Sequence, residues 1–150
     1  MAFIFNLQKL MDLRGKYEEQ AKNYLNKKIN ERIQAEEKIE KINKTIKQFD
    51  EDFNKELHIS VSPDRFKQLL EYKEHLKKQR DILVKEYQAK LKEEESAREE
   101  YLEAKKEKDI LSKLKERKEE EFKYNEKLLE TKTMDEVSQN LYNQKNKKMR

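Results

Sequence analysis

The sequence predicts an all-α fold: an antiparallel two-helix coiled-coil hairpin with a longer, overhanging C-terminal helix. Three observations carry that expectation. Charged residues make up 45% of the chain and AVILMFWYC residues 34%, too little apolar material for the thick core of a compact 150-residue domain. One Gly and one Pro leave almost nothing that can turn or break a helix, which removes all-β architectures and long loops. The remaining apolar residues recur at spacings of three and four, separated by Glu, Lys, Gln and Arg, which favour helix. Residues 1–150 therefore read as a single hairpin, with helix 1 over about 4–57, a corner over about 58–62 and helix 2 over about 63–145.

In helix 1 the clearest stretch is Ala35, Ile39, Ile42, Ile46, Phe49 and Phe53, a heptad seam that needs a partner helix along it. Upstream, Leu10, Tyr17, Ala21 and Tyr24 keep a similar rhythm. An eleven-residue interval then separates Tyr24 from Ala35, with Leu25, Ile29 and Ile33 stepping through it. Such an interval relaxes the supercoil, so a straighter or irregular stretch is expected there.

The corner is the strongest local signal. Leu57-His-Ile-Ser-Val-Ser-Pro63 loses the alternation of charge and ends in Ser62-Pro63-Asp64. Serine caps a helix N-terminus, proline fits its first position, and aspartate complements its positive end. In helix 2, Leu69, Leu76, Leu83, Lys90, Ala97, Ala104 and Leu111 recur every seven residues. The companion position is Tyr72 or Lys73, followed by Arg80, Tyr87, Glu94, Tyr101 and Lys108. Small Ala97 and Ala104 beside large Tyr87 and Tyr101 suggest close packing, and the seam charges would help to fix register. Beyond Leu111 the phase changes, and Leu114, Phe122, Leu128, Leu129, Val137 and Leu141 continue more loosely. At ~1.5 Å per residue, folding about residue 60 places Phe5 near Arg117 and leaves the last ~30 residues projecting by roughly 45 Å.

The search for chemistry ends without a catalytic constellation. There is no Cys, and His58 and His75 are isolated from any ligand set, so neither a metal nor a cofactor is expected. Glu93-Glu94-Glu95 and Glu119-Glu120-Glu121 fan outward on a helix instead of converging. A lone Gly15 cannot build a phosphate loop; it either permits close approach of another chain or is tolerated inside the helix. The expectation is a non-enzymatic protein. No apolar run approaches bilayer length, and the start lacks the pattern of a secretory signal.

The net charge of +4 belongs to a short tail: residues 137–150 hold Lys145, Lys147, Lys148 and Arg150 and no acid. The body is charge-balanced, with i,i+4 pairs such as Glu37–Lys41, Glu74–Lys78 and Glu94–Arg98. That is the pattern of a solvated helix, and no nucleic-acid partner is expected. Function must then lie on surfaces. Phe3 and Phe5 alternate as in an extended segment and should dock onto the chain's own C-terminal helix or onto a partner. Phe49, Phe66, Leu70 and Tyr72 near the corner either thicken the core or form a partner patch.

Four stretches, in this order and spacing, resemble the flagellar export protein family FliJ. They are Phe3-Ile-Phe-Asn-Leu-Gln-Lys-Leu-Met-Asp-Leu-Arg14, Gln34-Ala-Glu-Glu37, Arg65-Phe66 after the corner, and Thr133-Met-Asp-Glu136. The resemblance spans essentially the whole chain. It implies a cytoplasmic component of the flagellar type III export apparatus, peripheral to the inner membrane at the flagellar base and similar to the central stalk of rotary ATPases. The implied partners are the hexameric flagellar export ATPase, the cytoplasmic side of the membrane export gate protein, and empty export substrate chaperones. A gate-binding surface carried over by position falls on Ile42, Thr45, Phe49, Tyr72, Leu76, Gln79 and Leu83. The unequal arms then suggest that the end with Phe3, Phe5, Leu10, Phe122, Leu128, Leu129, Met134, Val137 and Leu141 engages the ATPase ring. The chain alone is expected to be a monomer. A general coiled-coil chaperone, or a tether without a motor partner, is the alternative reading.

Overall fold

A computed structural model describes residues 2–149. The fold is an all-α hairpin of two helices, α1 (Gln8–Ile59) and α2 (Pro63–Met149). Arg150, the last charge of the basic tail, lies outside the described residues.

Three differences in element bounds have local causes. Helix α1 begins at Gln8, not near residue 4, because Ala2–Phe5 are not helical and Asn6-Leu7 form a turn. The Gln8 amide donates to the Phe5 carbonyl at 3.1 Å, and the Met11 amide to the Leu7 carbonyl at 2.9 Å. At the other end α1 continues to Ile59, so the corner is only residues 60–62. There Ser62 caps α2 as its residue type suggests: its Oγ accepts from the Arg65 amide at 3.2 Å and its carbonyl from the Phe66 amide at 3.0 Å. The Arg65 guanidinium reaches back across the corner to Glu56 at 3.0 Å. Helix α2 runs past the expected residue 145 to Met149, since neither Pro nor Gly interrupts it.

Contacts divide the chain into two units, Tyr17–Ala104 and Met1–Lys16 with Lys105–Arg150. The first contains the corner. Its α1 seam is Ala21, Leu25, Lys28, Arg32, Ala35, Ile39, Ile42, Ile46, Phe49, Phe53 and Glu56, all buried or half-buried. These steps alternate strictly between four and three, with one run of an unbroken heptad. The expected irregular interval between Tyr24 and Ala35 is therefore absent. Leu25 is the buried residue, Tyr24 is 46% exposed, and Tyr17 and Ile33 also face outward. Lys28 and Arg32 fill the two seam positions that lack an apolar residue; their stems cover the partner helix while their heads pair with acids. On α2 the seam is Leu69, Lys73, Leu76, Arg80, Leu83, Tyr87, Lys90, Glu94, Ala97, Tyr101 and Ala104. Lys73 takes the companion position, while Tyr72 is 48% exposed beside it. Ala97, at 1% exposure, marks the close approach anticipated from its size.

The second unit joins residues before Tyr17 to the later part of α2. Arg14 donates to Glu107 at 2.6 Å. A Cβ placed on Gly15 would meet only the Lys108 Cε at 3.9 Å, an ordinary contact, so alanine fits there and nothing requires glycine. Leu10 and Leu13 face outward and Met11 turns in, one position away from the expected Leu10. Half-burial along α2 stops at Glu126; residues 127–148 are all exposed.

Candidate functional site

Three places on the molecule carry distinctive groups. The first is an ionic layer within Tyr17–Ala104. Lys28 donates to Glu31 at 3.3 Å and across to Glu93 at 3.2 Å, and Lys90 donates back to Glu31 at 3.3 Å. The Arg32 Nε lies 2.5 Å from a Glu94 carboxylate oxygen, and Arg98 donates to the other at 3.2 Å. Glu94 is 7% exposed, the one buried charged residue among those described, and two guanidiniums balance it. Lys28 also stands over the Tyr24 ring, 5.3 Å from its centre.

These contacts move the titrations apart. The hydrogen bond to Glu93, and then that to Glu31, raise Lys28 above its ordinary value. Lys90 is raised by its bond to Glu31 and by the charges of Glu31 and Glu93. Glu31 is lowered by hydrogen bonds from Lys28 and Lys90, and Glu93 mainly by the one from Lys28. Each group is held in its charged form. That is the chemistry of a structural layer, since a general acid or base needs the opposite. Sequence reasoning placed Glu94 and Lys90 at the seam but missed Lys28 and Arg32. The available signal was their four-residue spacing, in phase with Leu25 and Ala35.

The second place is the corner-proximal flank. Phe49, Phe53, Phe66 and Tyr72 form an aromatic row, with ring centres 5.1 Å apart for Phe49–Tyr72, 5.9 Å for Phe49–Phe53 and 5.8 Å for Phe53–Phe66. Lys73 reaches Asp50 at 2.8 Å within it. Of the residues on which the resemblance places a gate-binding surface, Thr45, Tyr72 and Gln79 are exposed, and Ile42, Phe49 and Leu83 are half-buried. Leu76, at 4% exposure, faces the seam. Thr45 is exposed, and its hydroxyl donates to the Lys41 carbonyl at 3.0 Å. A shallow cleft between Thr45, Gln48, Phe49 and Tyr72 opens on this flank.

The third place is the end that carries the chain's N-terminal segment. Phe3 and Phe5 are half-buried, and the Phe3 ring meets Phe122 of α2 at 5.6 Å, tilted by 50°. Of the two alternatives for these aromatics, docking on the chain's own helix is realised at Phe3. Beyond Glu126, Leu128, Leu129, Met134, Val137 and Leu141 are all exposed. They do not form one stripe. Met134, Val137 and Leu141 follow i, i+3, i+7 on one side, while Leu128 and Leu129 lie on another.

Among the described residues, no group of three or more His, Cys, Asp or Glu side chains could hold a metal ion. None of the described helices is long and apolar enough to cross a membrane.

A family model for the flagellar FliJ protein matches residues 3–147. The chain belongs to the FliJ family. No curated protein and no solved structure matches it significantly. Membership makes this FliJ-family chain a component of the flagellar export apparatus, in a family that is non-enzymatic.

Proposed function

We propose that this chain is the central stalk of the hexameric flagellar export ATPase, coupling the ring to the membrane export gate and escorting empty substrate chaperones. The observation that carries the reading is the uncovered end of α2. From Lys127 onward every described side chain is exposed, yet Leu128, Leu129, Met134, Val137 and Leu141 are large and apolar. A single slender helix with apolar residues on two sides suits the inside of a ring, which presents contacts all around it. A lone amphipathic helix in water is marginal, so docking would also order it. Phe3, Phe5 and Leu10 belong to the same end, and the basic Lys145, Lys147 and Lys148 would meet acidic pore segments.

The corner-proximal flank is the proposed gate surface, with Thr45, Tyr72 and Gln79 touching the gate, Ile42, Phe49 and Leu83 at its edge, and Leu76 supporting it from the seam. In this reading the chain works in the cytoplasm, peripheral to the membrane, as a monomer on its own. Neither a nucleic acid nor a cofactor takes part.

Removing residues 127–150 leaves in place every residue of α2 that is half-buried among those described. The truncated protein should lose stimulation of ATP hydrolysis by the purified hexamer and keep its affinity for the gate protein. Undiminished stimulation would place the ring elsewhere on the molecule.

A further inference from the structure

The N-terminal segment covers α2 loosely. Phe3 meets Phe122 of α2 and Phe5 is half-buried, while Ile4 between them is 79% exposed, as expected for an extended stretch. Beside the rings an open cleft remains, lined by this segment and, on α2, by Leu114, Lys118, Glu121, Phe122 and Asn125. On α2, Leu114, Lys118, Phe122, Asn125 and Leu129 recur at steps of three and four and share a face with Leu128. One stripe is therefore half covered: Leu114 and Phe122 are half-buried under the segment, and Leu128 and Leu129 are open just beyond it.

We infer that residues 2–6 are a releasable strap over the first half of a longer docking stripe on α2, so that strap and partner compete for Phe122. Two half-buried rings beside an open cleft are set against the entropy of ordering five non-helical residues. Chain ends with so few buried contacts open at little cost. Release joins Leu114 and Phe122 to Leu128 and Leu129, doubling the apolar residues on that face. A stripe at helical spacing fits an apolar helical segment of the partner. The competitor is such a segment lining the ATPase ring, so the inference rests on the stalk reading above.

The test uses three full-length proteins: the wild type, Phe3→Ser/Phe5→Ser, and Phe122→Ser. Each is titrated into the purified ATPase hexamer, and amide exchange over residues 114–125 is read in the free chain. The strapless double variant should bind the hexamer more tightly, about tenfold if the wild-type strap is open one tenth of the time. Its 114–125 amides should exchange faster, and Phe122→Ser should bind more weakly than wild type. Equal or weaker binding by the double variant overturns the inference, because the rings would then be contacts and not a cover. Unchanged exchange over 114–125 overturns it as well. Absence of binding by all three proteins, wild type included, refutes the stalk reading and the competition with it, an outcome distinct from equal binding.

Discussion

The unit Tyr17–Ala104 and the unit built from the two chain ends use the same residue types and fill their seams differently. In the first, a helix faces a helix, and Leu25, Ala35, Ile46, Leu69, Leu76 and Ala97 are buried together with Glu94. In the second, none of the described residues reaches that burial. Its α2 segment meets α1 only from Gln8 onward, then a non-helical segment, then water. Leu76 and Leu128 are the same amino acid on the same helix, one buried and one open. Apolar periodicity sets which face of a helix can be buried; whether it is buried depends on what the rest of the chain brings to it.

That contrast can be broken at its strongest point. Leu76→Ala should destabilise the protein by about 2–4 kcal/mol, at the lower end because a two-helix seam stays partly wet. Leu128→Ala should fall within about 0.5 kcal/mol of wild type. Urea unfolding of both variants decides it, and similar losses would mean that the overhang is covered in solution.

The ionic layer gives the next largest effect. Glu94→Ala leaves the Arg32 and Arg98 guanidiniums without their shared acid, and should cost roughly 1–3 kcal/mol by thermal denaturation. The exposed pair Lys118–Glu121, at 3.7 Å in the second unit, should show almost no change when Glu121→Ala removes it.

Gly15→Ala works in the opposite direction. The added methyl meets nothing closer than the Lys108 Cε at 3.9 Å, so the helix preference for alanine should appear as a gain of about 0.5–1 kcal/mol in the same measurement. A loss would show that another chain packs against Gly15.

The smallest effect is the pH dependence. Glu31 and Glu93 are lowered, so their contribution is present above the ordinary carboxylate range and is lost as pH falls through their lowered values. Lys28 and Lys90 are raised, so theirs is present below the ordinary lysine value of 10.5 and is lost as pH rises through the raised values. The thermal midpoint should be flat near neutrality and fall at both extremes. In Glu31→Gln/Glu93→Gln the acid limb should be shallower, and salt should reduce the difference.

Much of this was legible in the residues, for physical reasons that differ by element. Ser62-Pro63-Asp64 announced the corner because capping is decided within four residues. The heptad from Leu69 to Leu111 was readable because burial on one face repeats at a fixed period. Lys28 and Arg32 escaped because a charge at a seam position is recognised only by its partner, and Glu93 and Glu94 lie more than sixty residues away in sequence. Tyr24 misled in the same way: its size suggested burial, but it serves as the outer platform for Lys28. At the third place, alternation revealed an extended Phe3–Phe5 segment, whereas only the fold could choose Phe122 as its neighbour. The late start of α1 follows from the same alternation.

That segment also acts as a gear between two ladders of unequal pitch. An extended residue advances ~3.3 Å and a helical one ~1.5 Å, so each step along residues 2–5 spans the rise of roughly two residues of a helix. Its side chains alternate sides, so Phe3 meshes with Phe122 of α2 and Phe5, half-buried, is turned to the same side. A chain one residue shorter before Gln8 would not sit slightly out of place. It would turn Ile4 inward, throw both rings into water, and displace the mesh by more than half a helical turn.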